Sequence, residues 1–281
     1  MKKPPKLLNS KSNFTKGAIY LLSLLLIVLI WWLLAETVFS KSGILPTPWE
    51  TFGKFFAQWG KPKLWQGAWS TLSVSLISFA VAFLVGLLLA LAAHFSSIVR
   101  HFFEPTVTIL RSMPTLGVTL ILFIFFSGRT TAIVISALVS FPVVYQNMLA
   151  ALDGMNKDLL EMARVFGVSK KDRFFSVVLP QISEYIFSAL LAGFGLNIKV
   201  TVAAEIIAIS RPALGSYING AYISGDFTMM FVWVLATVIL SFICEGIIKL
   251  VRMVCLPHKY GARAKVVALW RKIFARKGEK K

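Results

Sequence analysis

Three ionisable side chains stand inside otherwise apolar stretches of the chain: Arg111, Lys199 and Glu205. A charge left against hydrocarbon costs about 2.5–3.5 kcal/mol on insertion scales, so each must face protein or water. Lys199 and Glu205 lie six residues apart, which on one helix points them in different directions. Their partners must therefore come from other elements. Asn197 adds an amide beside Lys199, and Pro114, by lacking an N–H, frees the Leu110 carbonyl of a continuing helix. Two kinds of chemistry fit such residues, a polar route for a solute or a buried structural ion pair, and Glu205 suits the structural role better.

A second stretch is specific in its local chemistry. Asn156 is a good N-cap, and Asp158 falls in the first turn, where the helix dipole favours a carboxylate. Leu159, Met162, Ala163 and Phe166 follow at i, i+3, i+4 and i+7, an apolar stripe on one helical face. Gly167 supplies the left-handed position that ends this helix. Ser169 and Asp172 then have capping-box spacing for a second short helix, with Phe174, Val177 and Val178 on one side and Lys170, Lys171 and Arg173 on the other. Pro180 closes that helix and opens the next. Helices this short need a surface on which to bury their stripe. The protein's own membrane ends would serve, as would another subunit.

Other chemistries find no support. There is no phosphate-binding G-x-x-x-x-G-K-[ST] loop, no HExxH, no CxxC and no G-x-S-x-G elbow. His94, His101 and His258 lack neighbours at metal-ligand spacing, so no metal site is expected. Cys244 and Cys255 make no disulfide framework.

The elements that carry these residues follow from composition. Of 281 residues, 57% are hydrophobic and 15% charged, and mean hydropathy is +0.75. Soluble domains are about 45–50% apolar and about 25% charged, so a soluble globular, disordered or disulfide-rich chain is excluded. An all-α integral membrane protein remains. Six spans are expected, at 17–38, 69–93, 107–126, 130–149, 185–209 and 227–248, since a bilayer core takes about 20 helical residues. The third and fourth are separated only by Ser127-Gly128-Arg129 and form a tight hairpin.

With the amino end inside, 23 Lys and Arg fall in inner segments and six in outer ones. That asymmetry puts both termini in the cytoplasm. The net charge of +18 therefore reflects membrane-flanking tails attracted to the lipid bilayer, and no nucleic-acid partner is implied. The organisation expected is a basic tail at 1–16, a first span at 17–38, an external segment at 39–68, a core at 69–252 with a cytoplasmic loop at 152–182, and a second basic tail at 253–281. In the external segment Trp49, Phe52, Phe55, Phe56 and Trp59 recur at helical spacing, which predicts an interfacial helix with its aromatic face in the headgroups. Ala82, Gly86 and Ala90, like Ala189 and Gly193, step by four and predict close helix packing.

The loop also carries a resemblance. Glu161-Met162-Ala163, then Gly167, then Val177-Val178-Leu179-Pro180 resemble the E-A-A-x₃-G-x₉-I-x-L-P signature of permease subunits of binding-protein-dependent ABC importers, with Met162 for Ala and Val177 for Ile. Leu45-Pro46-Thr47-Pro48, Leu110-Arg111-Ser112-Met113-Pro114 and Val202-Ala203-Ala204-Glu205 with Leu214-Gly215 resemble segments of the nitrate, sulfonate and taurine permease group. Met113 stands where that group usually has Ile or Val.

This resemblance implies a type I ABC importer permease fold in a bacterial cytoplasmic membrane. It implies a second permease copy, ABC ATPase subunits that bind ATP and Mg in place of this chain, and an extracytoplasmic solute-binding protein. The chain itself would be no enzyme and would bind no cofactor. Leu159, Glu161, Met162, Ala163, Phe166, Gly167, Leu179 and Pro180 would form the ATPase-coupling surface. Arg111, Met113, Pro114, Asn197, Lys199 and Glu205 are the expected lining of the translocation pathway at the subunit interface, the two cations favouring an anionic or polar solute. A single-chain secondary transporter would show internal repeats, which are not visible here. A membrane-embedded enzyme is a third reading and lacks a catalytic constellation.

Overall fold

The computed structural model describes residues 8–40 and 43–256. Of the basic tails expected at 1–16 and 253–281, residues 1–7 and 257–281 fall outside them, whereas residues 8–16 already belong to the first helix. Eleven α-helices occur among the described residues: α1 (Leu8–Leu33), α2 (Pro48–Trp59), α3 (Pro62–Phe95), α4 (Ser97–Ser112), α5 (Thr115–Phe125), α6 (Gly128–Asp153), α7 (Lys157–Val165), α8 (Lys170–Arg173), α9 (Leu179–Ala208), α10 (Leu214–Ile223) and α11 (Phe227–Cys255). The spans containing α1, α3, α6, α9 and α11 are each long and apolar enough to cross a bilayer.

The third span departs from expectation. Instead of a straight helix over 107–126, α4 and α5 meet at a 99° bend, and they pass the length and apolarity test for a span only as a pair. Pro114 is the physical reason. Its ring disfavours the helical region for the residue before it, and Met113 is accordingly extended at φ −68° and ψ 140°. Pro114 therefore sits between two helices, capping α5, and does not free a carbonyl inside one. The short connection from α5 to α6 agrees with the expected hairpin.

The centre of the bundle is α6, packed along both α3 and α9. Small residues set the spacing, as their four-residue steps predict. Ala82 and Ala90 on α3 and Ala189 on α9 are buried. A Cβ on Gly86 would stand 2.9 Å from a Val144 methyl and 3.1 Å from the Tyr145 backbone nitrogen, so only glycine lets α3 lie this close to α6. Phe79, Val144, Tyr145, Met148, Phe194 and Ile198 fill the surrounding core.

On the opposite end from the cytoplasmic loop, α2 begins with a complete capping box. Thr47 Oγ1 accepts from the Glu50 amide, and Glu50 Oε2 accepts from the Thr47 amide at 3.1 Å. The aromatic face of α2 is split. Trp49, Phe56 and Trp59 are exposed, whereas Phe55 is buried against α10 and α11, and Phe52 meets Trp31 of α1 at a 6.4 Å ring distance. Thus α2 is not the purely interfacial helix expected; two of its five aromatics, Phe52 and Phe55, fasten it to the bundle. The outward residues of α1, from Ile19 to Leu33, are almost all exposed and apolar, as lipid contact requires.

Candidate coupling loop and translocation groove

The loop after α6 is built from its caps. Asn156 Oδ1 accepts from the amides of Asp158 at 2.9 Å and Leu159 at 3.3 Å, which starts α7 where the sequence places it. Gly167 adopts φ +68°, and the helix closes with the Gly167 amide on the Arg164 carbonyl and the Val168 amide on the Ala163 carbonyl, both at 3.0 Å. Ser169 Oγ accepts from the Asp172 amide at 3.1 Å and donates to Asp172 Oδ2 at 2.6 Å. That is the start of α8.

The second loop helix does not stop at Pro180. It runs from Lys170 through a wider π turn at Phe174–Val178 directly into α9, giving one continuous helical rod to Ala208. Pro180 is an early residue of α9, where its missing N–H is tolerated. The loop is thereby continuous with α9, which packs along the central α6. A further tie was not legible in the sequence: the Asn156 amide donates to Gln181 Oε1 at 2.7 Å, while Gln181 Nε2 donates to the Val177 carbonyl at 3.1 Å. It clips the start of α7 to the start of α9.

The expected stripe divides. Ala163 is buried against the protein, whereas Leu159, Met162 and Phe166 are 41%, 52% and 78% exposed. Leu159 and Met162 rim a hollow of about 300 Å³ with Ser176, Val177 and Pro180. Glu161 and Gly167 are exposed and Leu179 half-buried. Val165, Phe174 and Phe175 widen the open apolar surface, with Phe174 and Phe175 packed edge to face at 5.3 Å. Val165 and Phe175 fall off the i, i+3, i+4 stripe, so the period gave no signal for them.

The six residues expected along a translocation route separate into two sets. Asn197 is fully buried. Its amide nitrogen donates to Ser78 Oγ at 3.0 Å, Ser140 Oγ at 3.1 Å and the Ser136 carbonyl at 3.2 Å. Glu205 is also fully buried and holds Thr71 and the amide of Gly215. Asn197 thus joins helices inside the bundle, and Glu205 does so through Oε2 alone, its buried Oε1 having no hydrogen-bond partner among the described residues. Met113 packs against the cluster of Val74, Ala132, Ile135, Val200 and Ala204. Arg111, Pro114 and Lys199 are exposed. Lys199 faces a groove of about 380 Å³ between α9 and α11, whose polar lining comprises Thr237, Ser241 and Glu245. Among the described residues no group of three or more His, Cys, Asp or Glu is placed to hold a metal ion.

Residues 82–252 match the family described as binding-protein-dependent transport system inner membrane component. The chain is 26% identical over 231 residues to the taurine transport system permease protein of Escherichia coli (strain K12), covering 79% of this chain and 83% of that one. It is 26% identical over 225 residues to the riboflavin transport system permease protein of Chloroflexus aurantiacus, covering 79% and 84%. The nitrate import permease protein of Leptolyngbya laminosa is 28% identical over 163 residues, 58% of each chain. Two solved folds are similar. An inward-facing methionine ABC transporter aligns with TM-score 0.57 at 19% identity, covering 69% of this chain and 97% of that one. An amino acid ABC transporter solved with histidines aligns with TM-score 0.58 at 18% identity, covering 74% and 98%.

Proposed function

This chain belongs to the family of binding-protein-dependent transport system inner membrane components, and from that membership we propose how its parts divide the work. It is a multi-pass permease subunit of an ABC importer in the inner membrane, and it works with an ATPase and a substrate-binding protein. Two copies of the chain would form the translocation unit. ATP and Mg would be held by the partner ATPase.

In this reading Leu159, Met162 and Phe166, with Glu161 beside them, meet the ATPase. Ala163 anchors α7 from behind, and Gly167 sets the angle between α7 and α8. Leu179 and Pro180 join the contact to α9. The carrying observation is the continuity of α8 with α9: a push on the loop has no flexible joint in which to dissipate before it reaches the core. Nucleotide-driven closure of the ATPase pair would thus rock the membrane helices.

The solute is a small anionic or polar molecule. The relatives' names cover taurine, nitrate and riboflavin, and the exposed cations Arg111 and Lys199, near the bend at Met113-Pro114 and in the α9–α11 groove, suit such cargo. The test is cross-linking in native vesicles. In a background lacking Cys244 and Cys255, a cysteine in place of Val165, which is 85% exposed, should trap an ATPase subunit. A cysteine in place of Ala163, 5% exposed, should not. Equal trapping from both, or none from Val165, would overturn the assignment.

A further inference from the structure

At the far end of α9 from the loop, a second cavity of about 390 Å³ opens between the start of α3, α10 and the start of α11. The 30 residues of α9 separate it from the coupling loop by about 45 Å. It therefore opens on the extracytoplasmic side if the loop faces the cytoplasm. Its lining combines two cations, Lys63 and Arg211, with the rings of Tyr217 and Trp233 and the hydroxyl of Ser224.

The cavity is assembled from several parts of the fold. Gly67 makes room for Tyr217: a Cβ at that position would stand 2.6 Å from the tyrosine ring. Trp233, 2% exposed, backs the same ring at a centroid distance of 5.1 Å. The Lys63 ammonium is held over both rings, 4.8 Å from Tyr217 and 5.5 Å from Trp233. Such contacts place the charge without neutralising it. The Arg211 guanidinium passes Gly220, 3.8 Å from where a side chain there would begin.

The charges around the cavity define the ligand class. Asp226 also lines the cavity, but its carboxylate caps α11 through the Met229 amide at 3.0 Å and lies 3.9 Å from Lys54. Among the described residues neither Lys63 nor Arg211 lies within 4 Å of a carboxylate. The cavity thus offers two positive heads, an aromatic wall and a carboxylate already engaged with a third cation. A planar guanidinium and an ammonium lining one cavity match an oxyanion, and the rings match a short carbon chain.

We propose that Lys63, Arg211, Tyr217 and Trp233 form an extracytoplasmic subsite for a small organic anion with a sulfonate or carboxylate head, through which solute passes before reaching the membrane route. The inference rests on the reading of the chain as a solute permease. It adds a residue-level site on a face that the coupling argument does not use. The volume accommodates a molecule of a few heavy atoms with its water, at the lower end of ordinary ligand pockets.

The experiment uses the full chain in nanodiscs of zwitterionic lipid, without ATPase or binding protein. Ethanesulfonate is the probe, and ethylammonium at equal ionic strength is the control. Saturation-transfer NMR titration should show binding of the anion and not of the cation. Lys63→Gln and Arg211→Gln should each weaken it about tenfold or more, the loss expected for one charge-assisted contact. Lys54→Gln, which leaves Asp226 without its ion-pair partner but removes no cation from the cavity lining, should weaken it less than either of those two variants.

Ser224→Glu, which keeps both cations and places a carboxylate among them, should abolish binding in a chain whose thermal unfolding is unchanged. No binding to the wild type, or equal binding by the Lys63 and Arg211 variants, would overturn the subsite. So would a result in which those variants lose capture of the loaded binding protein while ethanesulfonate never binds, because the cations would then serve protein docking. Gly167 variants separate the two readings: uncoupled ATPase with intact anion binding speaks only to the loop. Intact coupling without anion binding removes the subsite alone.

Discussion

Thr71 on α3 donates its hydroxyl hydrogen to Glu205 on α9 at 2.8 Å, across 134 residues of sequence. The same carboxylate oxygen accepts from the Gly215 amide at 3.2 Å, and Thr71 Oγ1 in turn accepts from the Leu214 amide at 3.0 Å. Leu214 and Gly215 open α10, so this triangle satisfies the first two amides of that helix and fastens it to the two core helices. All four residues are buried.

The triangle makes Glu205 a structural latch, with a clear expectation for its variants. Glu205→Leu leaves the Gly215 amide and the Thr71 hydroxyl without their acceptor, at about 1–3 kcal/mol for each buried orphan. Glu205→Gln keeps an acceptor oxygen and the side-chain volume. Thermal unfolding in detergent should therefore fall markedly for Leu and little for Gln, and uptake per folded Glu205→Gln molecule should stay near wild type. A large uptake defect in a stable Gln variant would return Glu205 to the translocation route.

Gly167 offers a test in which conformation is isolated from packing. A Cβ there would meet nothing within 4 Å, so any penalty comes from φ +68° alone. Non-glycine residues in that region cost about 1–2 kcal/mol, asparagine least among them. Gly167→Asn should retain stimulation of the ATPase by loaded binding protein, and Gly167→Val should lose most of it with unchanged thermal stability of the membrane core. Equal stimulation in both variants would show that the turn angle is irrelevant to coupling.

These residues also show what one-dimensional reading captures. Asn156, Gly167 and Ser169 act within three residues of themselves, through caps and a left-handed turn, and local chemistry is legible from local sequence. The steps of small residues on α3 and α9 are legible for the same reason, because helical period alone puts them on one face. The course of α4 and α5 was harder to read. Pro114 signals a break, yet a 99° turn depends on what α5 packs against, namely α6 and α9. Glu205 and Asn197 read in the sequence as polar residues within spans, but only the fold shows Thr71 and Gly215 on one, and Ser78, Ser136 and Ser140 on the other. The division of the α2 aromatics likewise needed α10 and α11 in place.

Asn197 links three helices through serines on α3 and α6, and it should behave as packing and not as a solute contact. Interhelical polar contacts in membranes contribute about 0.6 kcal/mol on average and up to about 2 kcal/mol. Asn197→Ala, which abandons Ser78, Ser136 and Ser140 together, should lower the unfolding temperature in detergent. It should leave the apparent KM of the folded complex unchanged. A changed KM at wild-type stability would mean that the amide reaches the solute.

Lys199 is the opposite case, one residue past the buried Ile198 and yet exposed to the α9–α11 groove. Glu245, which also lines that groove, lies 3.4 Å from Lys249 and is therefore already engaged with another cation. No carboxylate among the described residues lies within 4 Å of the Lys199 ammonium. A cation at such a position either attracts an anionic solute or meets a group from a second subunit. Lys199→Met removes the charge with similar length, and Lys199→Arg keeps it. Uptake in proteoliposomes should fall about tenfold or more in Met, the loss of a single contact to a charged group, and be largely kept in Arg. Thermal stability and chemical cross-linking into dimers should be the same in both. If Met instead loses the dimer, the ammonium serves the subunit contact, and if Met transports normally, the groove is not part of the route.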